Sequence, residues 1–291
     1  MEVLQPDEWR ERELAHRARV DAATHEHRER RRFGAKHPVE DFLFTYYALS
    51  VTAMRRWHPG VGVALAEARE TDRAGWPYYR VQKDEVMVDL EAFLLARSDR
   101  VDRISRLLTA TLRRPGQFGC FGLHEWAMVH RLDQDGVRHP DWPLRLGQSD
   151  TDAVVESHAI ICSHVDAYRF FSPSAKPLNS VQPTRDRQVA LEQPGCLHAG
   201  MDCYKWAYQL APIVPGELVM DCFDLARDIR ELDMRASPYD LRDLGYEPIC
   251  IETREGKAAY VEAQRDFSRR SQALRTRLLD VVDALPATVP A

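Results

Sequence analysis

The chain has 291 residues, 45 acidic and 40 basic, with a formal net charge of -5. Hydrophobic residues make up 44% and charged residues 29%, which excludes a disordered or low-complexity chain and fits a globular one. No apolar run reaches the roughly 18–20 residues of a membrane span, and the charged N-terminus has no apolar segment of the signal-peptide kind.

Pro6-Asp7-Glu8-Trp9 opens a first helix, because proline and acids suit a helix N-terminus. It is expected to run to about Arg32 and to stop at Gly34. Its surface is largely charged, so residues 1–36 read as a helical surface arm. Pro38 starts a second expected helix, Val39 to about Arg56, ended by Pro59-Gly60. Phe42, Tyr46, Leu49 and Ala53 recur in it at helical spacing. Asp89 to Arg113 reads as a third helix, with Phe93, Val101, Ile104, Leu107 and Leu108 inward, and Leu123 to Arg131 as a short fourth.

From Gly136 to Pro194 proline is frequent and the apolar runs are short. Val154-Val155 and Ala159 to Cys162 fit buried strands or one more helix equally well. Helices return over His198–Leu210, Glu217–Arg235 and Lys257–Leu285. In the last, Tyr260, Phe267, Leu274 and Val281 stand seven apart, the pattern of an antiparallel bundle partner. The expected fold is mainly α: a single helical domain over 1–291, with a small irregular or β element in the middle of the chain.

Four clusters are candidates to carry chemistry, each set against a purely structural role. A glycine-rich turn, Phe118 to Gly122, feeds His124 and Glu125 into the first turns of a helix, where they suit general acid/base work or metal ligation. His158, Cys162, His164 and Asp166 form the second. On a helix His158 and Cys162 share a face; on a strand Cys162, His164 and Asp166 do. Arg169 follows them as a partner for a phosphate or carboxylate. In the third, His198 and Asp202 sit one helical turn apart after Glu192-Gln193-Pro194-Gly195. The fourth is an acidic stripe, Asp221, Asp224, Asp228 and Glu231, which needs a metal, a substrate cation or arginines from other helices to neutralise it. A solvated acidic face met by arginine is its blander reading. The six cysteines stand singly, without a C-x-x-C pair, as free thiols in a reducing cytoplasm would. The absence of P-loop, G-x-G-x-x-G, G-x-S-x-G and H-E-x-x-H patterns argues against phosphoryl transfer driven by a nucleotide and against serine-hydrolase chemistry.

Several segments together carry a resemblance. They are His37 to Tyr47, Arg56-Trp57-His58-Pro59-Gly60, Cys120 to Met128, Glu192 to His198 and Glu231 to Leu241. Across most of its length the chain resembles an actinobacterial-type family whose members are labelled 3-methyladenine DNA glycosylase. The resemblance implies a DNA repair enzyme that flips an alkylated purine out of double-stranded DNA and hydrolyses its N-glycosidic bond. No cofactor is then expected. The glycine/proline hairpin of the helix-hairpin-helix glycosylases is missing, so no catalytic residue transfers by motif. The candidate carboxylates are Glu125, Asp166 and Asp228, with His124 beside them. Tyr46, Tyr47 and Trp57 are candidates for stacking or wedging bases, and Arg31, Arg32, Arg55 and Arg56 for holding phosphates.

The residues read without the resemblance support an alternative. His124, His164, His198 and Asp202 would hold a divalent transition metal in a helical domain, and the substrate would be a small molecule rather than DNA. A third reading is a binding protein in which these groups form a satisfied buried network.

Overall fold

A computed structural model describes residues 1–286, and eleven α-helices account for most of them. The first, α1 (Pro6–Arg32), starts as its sequence dictates: Glu8 accepts from the Gln5 backbone N–H at 2.7 Å and proline stands in the first turn. It is not a surface arm. Trp9, His16, Val20 and Thr24 are buried along one stripe, which a count of its charges conceals.

The expected helix over Val39–Arg56 is instead two short ones, α2 (Phe42–Tyr46) and α3 (Val51–Met54). The break has two causes, one distant in sequence and one local. Tyr47 is extended and turned inward to a buried carboxylate, and the Ser50 hydroxyl accepts from the Ala53 N–H at 3.2 Å to start α3 afresh.

A four-stranded sheet lies in the first third of the chain rather than the middle. It consists of β1 (Glu2–Leu4), β2 (Val63–Leu65), β3 (Tyr79–Gln82) and β4 (Glu85–Val88), in the order β1-β2-β4-β3. The first pair is parallel and the others antiparallel. Beside it Arg73, 2% exposed, sits among the rings of Trp9, Trp57 and Trp76 at 5.8, 5.4 and 5.0 Å and pairs with Glu13 at 2.8 Å.

The long helices follow the expected pattern. These are α4 (Leu90–Arg113), α9 (Leu197–Gln209), α10 (Gly216–Arg235) and α11 (Arg254–Asp283). The last three pack on one another, and α4 lies against α11. Between α4 and α9 come α5 (Leu123–Val129), α6 (Gly147–Glu156), α7 (Val165–Tyr168) and α8 (Gln188–Leu191), joined by irregular chain. The middle is therefore irregular, as expected, with an isolated bridge between Ile160 and Asn179 in place of strands. Val154 and Val155 belong to α6, whereas Ala159 to Cys162 lie outside any helix. No helix among the described residues is long and apolar enough to cross a membrane.

Candidate functional site

Four separate segments deliver polar side chains to the middle of the helical layer. Gly122, at a φ of +70°, makes the left-handed turn into α5, and a Cβ there would stand 3.4 Å from the Tyr260 ring. The whole of α5 is buried, so His124 and Glu125 enter the core. His164 precedes α7 in an extended conformation. Its approach is pinned by Asn179, which accepts from the Cys162 N–H at 2.7 Å and donates to the Cys162 carbonyl at 3.0 Å. His198 and Asp202 lie one turn apart on α9. Arg230 and Asp233 come from the last turns of α10.

These groups form a continuous row. His124 Nε2 lies 3.1 Å from the Asp233 carboxylate and 4.0 Å from Glu125. Arg230 donates to Glu125 at 2.8 Å and stands 3.5 Å from Asp233. The His198 ring meets His124 edge-on at 4.5 Å between centroids and His164 at 5.2 Å. His164 Nε2 in turn faces Asp202 at 3.4 Å. Tyr47 donates to the other Asp202 oxygen at 2.8 Å. At the outer end Lys205 lies 3.2 Å from both Asp202 and Asp166, and Arg185 clamps Asp166.

The environment sorts the three histidines. Burial disfavours a charge on His124, but Asp233 and Glu125 outweigh it and raise its pKa. Burial also opposes charge on His164, and Asp202 and Glu192 reverse that. His198 has no carboxylate of its own; burial, with His124 adding to it, holds its pKa well below the usual value. A neutral imidazole therefore stands between two that favour the proton. Among the carboxylates, burial works against Glu125 and Asp202, yet Arg230 lowers the first and Lys205 with His164 the second.

A cavity of about 20 Å³ opens beside His124 and His198. Its wall includes the thiols of Cys120, Cys162 and Cys196. Burial raises all three thiols, Cys162 to about 12, so they line the space as neutral groups. The loops around it are held by side-chain amides. Gln193 accepts from the Gln117 and Gly195 N–H groups at 2.8 and 2.7 Å, and Gln264 donates to the Gly195 carbonyl at 2.6 Å. A Cβ on Gly195 would fall 2.3 Å from the Gln117 carbonyl oxygen, so only glycine fits.

The structure brings together His124, Glu125, His164, His198 and Asp202, with Asp166 at the edge. Tyr46, Tyr47 and Arg169 border the same row, Arg169 at 3.8 Å from Asp166, while the remaining candidates lie elsewhere. Asp228 is on the outer face of α10, paired with Arg270 at 2.6 Å. The rest of its stripe is met by arginines: Asp221 by Arg19 and Arg277, Asp224 by Arg19 and Arg227, Glu231 by Arg235. Trp57 is fully buried and donates to Glu217 at 2.8 Å, so it has no face free for a base. Tyr47 is likewise enclosed and committed to Asp202. Tyr46 is half-buried, its hydroxyl enclosed and without a partner among the described residues. Arg55 is exposed and pairs with Asp21; Arg56 lies over Trp76; Arg169 is exposed over Phe170. Arg32 pairs with Glu29, and Arg31 is exposed.

Sequence reasoning missed Asp233. A signal was present: Asp233 falls between Leu232 and Met234, off the acidic stripe of the same helix. Comparison with known proteins adds no template, since no family model, no curated protein and no solved structure matches the chain.

Proposed function

We propose that this chain is a metal-dependent enzyme acting on a small molecule, with His124, His198 and Asp233 as ligands of a divalent transition metal. One observation carries the reading: a ligand atom from each of these three buried side chains lies within 4.8 Å of the other two. Two imidazoles and a carboxylate suit iron, zinc or manganese, and three protein ligands leave positions open for a reacting molecule. The adjoining cavity, about 20 Å³, has room for one molecule the size of water. A metal held by the three ligands would stand beside this cavity and could supply an activated water there. Arg230 donates to Glu125 and stands 3.5 Å from Asp233, which ties these two carboxylates together.

Metal analysis of protein purified without chelator tests this. At least one equivalent of iron, zinc or manganese is expected, and its loss in a His198→Ala, Asp233→Ala variant that keeps its helical circular dichroism. Protein that stays free of all three metals after reconstitution would rule the reading out.

A second reading, excision of alkylated purines from double-stranded DNA, draws on the family resemblance and on one further observation. Tyr46 is raised in pKa by burial and then by the nearby Asp202 and Asp166. An aromatic ring beside carboxylates is what a flipped base would need. Methylated duplex DNA, incubated with the protein and heated in alkali, is the test. Breaks confined to methylated DNA and lost in Asp166→Asn would put this reading first. Intact DNA across a range of protein concentrations would remove it.

A further inference from the structure

A separate cavity of about 180 Å³ lies where α9 ends and α10 begins. Tyr208, on its wall, stands ten residues along α9 from His198, about 15 Å from the row of histidines. Leu49, Ala53, Met54, Ala211 and Val219 make most of the wall apolar. Two imidazoles, His16 from α1 and His58 from the chain before β2, supply much of its polarity.

Each imidazole has one nitrogen committed. His16 is 5% exposed, and its Nε2 lies 2.7 Å from the Met54 carbonyl oxygen. A carbonyl only accepts, so Nε2 carries the proton and Nδ1 is left with a lone pair. Nδ1 has no hydrogen-bond partner among the described residues. Gly216 keeps that edge of the ring uncovered, since a Cβ there would stand 3.1 Å from Nδ1. His58 gives its Nδ1 to the Tyr79 hydroxyl at 2.8 Å. Burial lowers the pKa of both rings, which keeps them neutral.

The wall also selects the charge of a ligand. An anion would meet the Nδ1 lone pair, and a cation would meet Arg56 and Arg73, whose charges already act on His58. A buried acceptor is costly without a donor. A cavity of about 150 Å³ holds benzene, and this one, at about 180 Å³, admits a single ring with a small substituent.

We propose that this cavity binds a neutral, single-ring molecule whose N–H or O–H group donates to His16 Nδ1. The ring lies against Leu49, Met54 and Val219. The site is independent of the metal reading.

The test uses the full chain, labelled with ¹³C at histidine Cε1 and titrated with phenol and, separately, with toluene. Toluene matches phenol in shape and has no donor. Phenol should bind about 3–10-fold more tightly, the range that one net hydrogen bond supplies, with the His16 signal moving most. His16→Leu should bring the two affinities together. Ala53→Phe, which fills the cavity and leaves His16 in place, should abolish binding of both. Should His16→Leu fail to fold by circular dichroism, the phenol–toluene difference in the native chain and the Ala53→Phe variant carry the test. Equal affinities for phenol and toluene in the native chain overturn the role of His16. Phenol binding unchanged in Ala53→Phe lies outside the cavity and overturns the site, as does the absence of binding by either molecule.

Discussion

Arg230 and Glu125, 105 positions apart in sequence, form an ion pair at 2.8 Å in which both side chains are almost wholly removed from water. The guanidinium also donates to the Pro38 carbonyl at 3.1 Å and lies 3.9 Å over the Phe42 ring. It therefore ties α10 to α5 and to the chain entering α2. A buried pair gains little over apolar packing, but removing one partner strands the other. Arg230→Met should cost about 3–5 kcal/mol in urea unfolding. Adding Glu125→Gln should recover part of that loss, because the stranded charge is gone. A loss below about 1 kcal/mol would show that the pair is not desolvated in solution.

The packing of α9 on α10 depends on Gly200. A Cβ there would stand 2.9 Å from the end of the Ile229 side chain. Gly200→Ala gains up to about 1 kcal/mol in helix propensity, but overpacking costs about 1–3 kcal/mol. A net loss is expected, and Ile229→Val in the same chain should relieve it. Thermal melts of both single variants and the double variant measure the coupling, and strictly additive effects would exclude a direct clash.

Acid should weaken the fold through His58. Burial, with the Arg73 charge adding to it, holds this imidazole at about 3, and its Nδ1 lies 2.8 Å from the Tyr79 hydroxyl. In the unfolded chain a histidine titrates near ~6.5. The unfolded state thus binds the proton first. The stabilisation is full above that value and is lost as pH falls toward about 3. The slope for one such group is at most about 1.4 kcal/mol per pH unit. Urea midpoints across this range should fall less steeply in His58→Gln. His139, lowered to about 4 by burial, keeps some slope in that variant. Parallel curves for the two proteins would show that His58 is already protonated in the native state.

The long helices were legible because their signals are local. Apolar spacing and end residues mark α1, α4, α10 and α11 to within a few residues. The sheet was not read, although Val81 to Val88 carries a hairpin with Lys83 in the turn. Strands of three or four residues are too short to show a period. The break at Tyr47 could not be read locally either, because its cause, Asp202, is 155 positions away. At the site, sequence identified the histidines by their rarity and chemistry. It took Asp228 for a site carboxylate when Asp233, five positions on, is the one that turns inward. Both are on α10, and beyond Asp233's place off the acidic stripe it is the packing of α5 against the end of that helix that distinguishes them.

The row of histidines is assembled from parts of the chain that lie far apart in sequence. His124 reaches Asp233 across 109 positions, and Arg230 reaches Pro38 across 192. A ligand bound by the cluster would therefore be linked to folding of the entire helical layer, and at about 100 times its dissociation constant would add roughly 2.7 kcal/mol to global stability. A library of metals and metabolites can be screened for such a ligand by the shift in melting temperature, with no reaction known in advance.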